Sequence, residues 1–197
     1  MSSRRDHLVE TATDLFSRNG FQATGIDAVL EASGVAKKTL YNHFRSKDEL
    51  IIASLQKRSA DFLDEARANI TRLSEQQDGD PRMARVLAFF DFIKESVNCE
   101  SFAGCMFINA SAEYPRRDDP VHVACTNHKK LLTQFIEELL GELRLDNSHE
   151  VARQVSLLLD GAIVTAHTTC DRSGIELAKD TTRRLLGTYL GPAQNVA

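Results

Sequence analysis

Residues Thr24 to Leu50 read TGIDAVLEASGVAKKTLYNHFRSKDEL. Two short amphipathic segments flank Ser33-Gly34-Val35, and the second is rich in Lys, Thr, Tyr and His. Ile26, Val29 and Leu30 recur at helical spacing and define one buried face, and Leu40 and Phe44 define the next. Gly34 permits a sharp turn between them, because a residue without Cβ tolerates positive φ. This is the layout of a helix-turn-helix, with its second helix exposed to meet DNA.

Such a helix needs one buried face to fix its tilt and one exposed face whose side chains reach phosphates and base edges. Lys37, Lys38, Thr39, Tyr41 and His43 form the exposed set. The lysines suit phosphates or guanine edges, Thr39 a phosphate or a thymine methyl, and Tyr41 and His43 phosphate oxygens. Lys47 falls in the first turn of the following helix, where free backbone N–H groups favour an anion. Thr24 is read as the cap of the preceding helix and as a second anion site of the same kind.

Net charge over the 197 residues is −4, which by itself argues against a nucleic-acid partner. Its distribution reverses that reading. Residues 1–50 carry seven basic and seven acidic side chains, so the excess of acid lies wholly beyond them. Positions 37–47 hold four basic residues and no acidic one, a small local patch. An apolar content of 42% and a charged content of 26% fit an ordinary globular chain. MSSRRDHLVE has charges without a following apolar core, and Asp160 cuts the run Leu157-Leu158-Leu159. Neither a secretory leader nor a membrane span is expected. The four cysteines show no CxxC spacing, so free thiols in a reducing cytoplasm are expected.

Apolar spacing is helical throughout and predicts an all-α fold of about nine helices. The first helix runs from about Arg4 to Arg18 and stops at Asn19-Gly20, and the third covers about Lys37 to His43. Ser46-Lys47-Asp48-Glu49 is a capping-box pattern opening a long fourth helix to about Leu73. Asp80-Pro81 and Asp119-Pro120 start the fifth and seventh, the latter reaching about 144. Between them lies a sixth, roughly Gly104 to Glu113. The last two cover about 149–170 and 174–190, closed by Gly191-Pro192.

Thr24, Gly34-Val35, Lys38-Thr39-Leu40-Tyr41, His43-Phe44 and Ser46-Lys47-Asp48-Glu49-Leu50 together resemble the N-terminal signature of TetR-family transcriptional regulators. The resemblance covers about residues 5–52. It implies a DNA-binding head over 1–50 and a ligand-binding and dimerisation part over 51–197. It also implies a homodimer on a pseudo-palindromic duplex, acting as a repressor released by a small-molecule effector. One departure is Ala36, where the family commonly has Ser or Thr as cap of the recognition helix. Losing that cap costs about 1 kcal/mol or less of local stability.

By the same resemblance the last two helices pair with their copies in a dimer. Val151, Val155, Leu158, Leu159 and Ala162 form the stripe on one, and Leu185, Leu186 and Tyr189 the stripe on the other. Internal core packing is the alternative use of both stripes. The implied effector pocket draws on Phe62, Phe89, Phe92, Met106, Phe107, Phe135 and His167, with Asn109, Glu113 or Tyr114 as polar contacts. An aromatic stripe serves equally as plain core.

The segment Phe102 to Ala110 resembles the Gly-Cys segment of a TetR subgroup that includes electrophile- and oxidant-responsive repressors. Cys105 there opens a helix, a position that favours an anionic group, and is a candidate sensing thiol. The alternative is a small packing residue beside Gly104. His122, Cys125 and His128 are spaced by three, but 122 and 128 drift about two-thirds of a turn apart, so no metal or cofactor is expected. No nucleophile with a base stands at recognisable spacing, so no catalytic residue is assigned. A helical interaction protein without specific DNA binding is the remaining alternative.

Overall fold

A computed structural model describes residues 3–100 and 102–190. Gly191-Pro192, expected to close the last helix, lies outside the described residues. Among those described there are nine α-helices and no strand. They are α1 (Arg4–Asn19), α2 (Ile26–Ser33), α3 (Lys37–His43), α4 (Lys47–Ser74), α5 (Ala84–Val97), α6 (Met106–Glu113), α7 (Pro120–Leu139), α8 (Ser148–Thr169) and α9 (Gly174–Gly187). Short 3-10 turns at Pro81–Met83 and Gly141–Leu143 account for the ends expected to be α-helical there.

Local chemistry explains the ends that matter. Ser3 and Asp6 form a reciprocal capping box on α1, each side chain 3.2 Å from the other's backbone nitrogen. Gly34 ends α2 at φ +65°, its N–H donating to the Leu30 carbonyl at 2.9 Å. Ala36 gives α3 no side-chain cap, as its methyl dictates. At the start of α4 the Ser46 hydroxyl accepts the Glu49 N–H at 3.2 Å, while Glu49 reaches back to the Arg45 N–H at 2.7 Å.

The chain packs as two compact units. The first joins the described residues up to Phe62 with Cys105–Lys129. Its core is built by Leu8, Ala12, Phe16, Phe21, Val29, Leu40, Phe44 and Leu50. Met106, Phe107, Ala110 and Tyr114 join the same core, so α6 is part of the packing around the helix-turn-helix. Phe16 and Phe21 stack with centroids 5.3 Å apart. The second unit takes Leu63–Gly104 and the described residues from Lys130 on. There α9 packs against α5 and α8, and Phe89 meets Phe135 edge to face at 5.5 Å.

Candidate nucleic-acid interface

Each face of α3 has its own role. Leu40 is fully buried and Phe44, which ends the helix, nearly so, and together they anchor it on α1 and α2. Lys37, Lys38, Tyr41 and His43 are exposed and Thr39 is half-buried. Tyr41 keeps 48% of its surface in solvent, a large aromatic group with no covering core. Asn42 and Arg45 stand exposed beside them and were not among the expected contacts. Their residue types were the available signal, since Asn reads adenine edges and Arg reads guanine or phosphate.

Lys47 opens α4 as expected, half-buried, with its ammonium 3.2 Å from the Gln22 carbonyl. Lys37 is 3.4 Å from Asp27, an exposed pair that holds little energy and releases the lysine readily. Thr24 is a correction. The cap of α2 is Gly25, without a side-chain bond, and Thr24 is buried. Its hydroxyl donates to the Gly20 carbonyl at 2.7 Å, an acceptor at the end of α1. It therefore supports the turn between α1 and α2 from inside.

Glu113, expected to line a pocket, is engaged elsewhere. It ends α6, and its two carboxylate oxygens accept the Phe21 N–H at 3.0 Å and the Gln22 N–H at 2.6 Å. Tyr114 donates to Asp48 at 3.3 Å. Burial first, then the Asp48 charge, pushes that phenol well above its ordinary range, so it stays a neutral donor. Sequence spacing carried no signal of the Glu113 contact, because its partners are backbone groups 91 and 92 residues away.

The remaining effector candidates divide between the units. Phe62, Cys105, Met106, Phe107 and Asn109 belong to the first. Phe107 and Met106 are buried there, Cys105 is the half-buried cap residue of α6, and Phe62 and Asn109 are half-buried. Phe89, Phe92, Phe135 and His167 belong to the second. The three phenylalanines are buried together, and His167 meets Phe102 edge to face at 6.2 Å. The second unit also holds a polar cleft of about 330 Å³ around Gln77, Asp91, Lys94, Lys179 and Arg183 that was not foreseen. Lys179 grips Asp91 there at 2.6 and 2.8 Å. Among the described residues no group of three His, Cys, Asp or Glu stands close enough for a metal ion, and no helix is long and apolar enough to cross a membrane.

The expected stripes divide between inward and outward positions. Val151, Val155, Leu159, Ala162 and Leu186 are covered by their own chain. Leu158 and Leu185 are half-buried and Tyr189 is exposed. The outward apolar residues are Leu157 at 72% exposure and Leu177 at 67%, with Val164 and Tyr189. Residues 155 and 157 differ by about 200° around a helix, so the inward stripe implies an outward one two positions on.

These features define a helix-turn-helix protein. The family model for bacterial regulatory proteins of the tetR family matches residues 8–53. The crystal structure of SCO4454, a TetR-family transcriptional regulator from Streptomyces coelicolor, is 30% identical and superposes with a TM-score of 0.72. That match covers 96% of this chain and 89% of the other. The transcriptional activator FasR of Mycolicibacterium smegmatis is 38% identical over 91 residues, 46% of this chain and 41% of that protein. The transcriptional repressor NemR of Escherichia coli is 29% identical over 113 residues, 55% of this chain and 53% of that one. The matched parts thus span about half or less of these two relatives. The chain belongs to the TetR family of DNA-binding transcriptional regulators.

Proposed function

We propose that this protein is a homodimeric repressor that binds one pseudo-palindromic duplex through α3 and is released by a small-molecule effector. The observation that carries the reading is the polarity of α3. Lys37, Lys38, Tyr41, Asn42 and His43 are exposed together while Leu40 and Phe44 lock the other face. Two copies are needed because one seven-residue recognition helix makes few contacts, and paired heads reach half-sites one turn apart. Function divides at residue 50 in this reading, with effector binding and dimerisation in 51–197. The exposed face of α8 and α9 supplies the dimer contact, and the protein works in the cytoplasm. Repression is the common output of the family, and its relatives here include an activator and a repressor.

Selection of bound fragments from genomic DNA tests this reading. The expected result is one duplex bound at least about a thousandfold more tightly than others, with affinity falling steeply as salt rises. Binding without sequence preference contradicts it.

A second reading assigns release to Cys105, in the manner of the Gly-Cys subgroup. Its support is positional: Cys105 occupies the N-cap position of α6, whose far end is tied by Glu113 to the turn between α1 and α2. An electrophile bonded to that sulfur adds bulk at one end of an eight-residue helix that holds the head at the other.

A further inference from the structure

Gly20, Phe21 and Gln22 form the turn between α1 and α2, and its Phe21 and Gln22 backbone groups meet two distant charged side chains, Glu113 at the end of α6 and Lys47 at the start of α4. The Gln22 carbonyl takes the Lys47 ammonium at 3.2 Å. The Gln22 N–H, on the preceding peptide, donates to Glu113 at 2.6 Å, and the Phe21 N–H donates to the same carboxylate at 3.0 Å. The Gly20 carbonyl takes the Thr24 hydroxyl at 2.7 Å. At Gly20 itself φ is +84°, and a Cβ there would lie 3.2 Å from Glu113 Oε1. The bare glycine thus leaves the space through which the carboxylate reaches the backbone.

We propose that Glu113 is a positioning residue for DNA binding: its carboxylate holds the Phe21-Gln22 backbone in the orientation that presents Lys47 to a phosphate. The proposal rests on the DNA-binding reading and names a residue through which α6 acts on the head by way of the turn between α1 and α2. A carboxylate suits the task because both of its oxygens are acceptors, one for each N–H. Glutamine has the same shape but offers one acceptor and sets an amide NH₂ against the second N–H. Charge-assisted bonds of this kind are stronger than neutral ones, and they are lost together if the end of α6 moves by an ångström or two.

The test uses the full chain and the duplex recovered by selection. Four proteins are compared: wild type, Glu113→Gln, Lys47→Ala and the double variant. Glu113→Gln is expected to weaken binding roughly tenfold, as loss of a charge-assisted bond implies. In the Lys47→Ala background the same change is expected to have much less effect, because Glu113 acts through Lys47. A structural role alone weakens both backgrounds equally. Amide exchange at Phe21 and Gln22 is read in parallel and should quicken in Glu113→Gln in the absence of DNA. Equal affinity of Glu113→Gln and wild type, strictly additive effects, or unchanged exchange at both amides overturns the proposal and leaves the DNA-binding reading standing. Failure of wild type to bind any duplex overturns that reading, and this proposal with it.

Discussion

The imidazole of His128 lies flat on the ring of Phe107, with 3.4 Å between centroids and 6° between planes. Its Nδ1 meets the Ser59 hydroxyl at 2.9 Å, and Phe62 approaches edge-on at 6.0 Å. Burial first, then the charges of Lys129 and Arg58, pushes its pKa down to about 3. Two members of the expected effector pocket therefore enclose a neutral histidine in the first unit.

Acid sensitivity follows from that burial. Unfolded, His128 takes its proton near 6.5; folded, only near about 3. Between these values the unfolded chain binds more protons, so stability is fully present above about pH 6.5 and is lost as pH falls towards 3. The limiting slope for one proton is about 1.4 kcal/mol per pH unit. Asp6, Asp80, Asp118, Glu137 and Asp171, held below their ordinary values by hydrogen bonds, add their losses only in more acid solution. Urea unfolding at about pH 5 and pH 7 should show a loss in wild type that His128→Asn lacks. Equal losses in both proteins would count against the assignment.

Substitutions on α3 separate affinity from selectivity. Tyr41→Phe and Lys47→Ala should weaken binding to every duplex, and Lys47→Ala should lower the salt slope by about one unit. Lys38→Ala should weaken binding and also relax preference at one base position, by about 1–3 kcal/mol. Competition titrations with single-base variants of the selected duplex read both quantities. Unchanged affinity in all three variants contradicts the docking geometry.

The outward and inward residues of α8 predict opposite phenotypes. Leu157→Glu, at a position 72% exposed, should leave the fold intact and shift sedimentation from dimer to monomer. Leu159→Ala, at a fully buried position, should cost about 2–5 kcal/mol of stability through the cavity it leaves. A dimer that survives Leu157→Glu and Leu177→Glu together places the interface elsewhere.

Cysteine variants test the second mode of release. Cys105→Ser should bind DNA normally and ignore a quinone that dissociates wild type. Cys125→Ser should still respond, since burial, with Cys105 adding, raises the Cys125 thiol to about 11 and keeps it protonated. A wild-type complex that survives every electrophile tested removes the thiol switch.

Much of the head was legible because its signals are local. Gly34, the Leu40 and Phe44 pair and the Ser46–Glu49 cap each act within about one helical turn, and each appears where spacing puts it. Thr24 does not cap α2 because capping and inward bonding use the same residue type, and only the third dimension decides which backbone group the hydroxyl meets. The stripe on α8 was correctly apolar, but periodicity cannot say whether such a face meets its own chain or another. Glu113 was invisible for a different reason: a carboxylate bonding to main-chain N–H groups leaves no pattern in its partners' side chains.

Methylation interference on the selected duplex measures the central claim most directly, because guanine N7 lies in the major groove. The account predicts that N7 methylation blocks binding at guanines in two windows about one helical turn apart, one for each α3 of a dimer. Full binding to a duplex methylated at every guanine N7 within its site would contradict it.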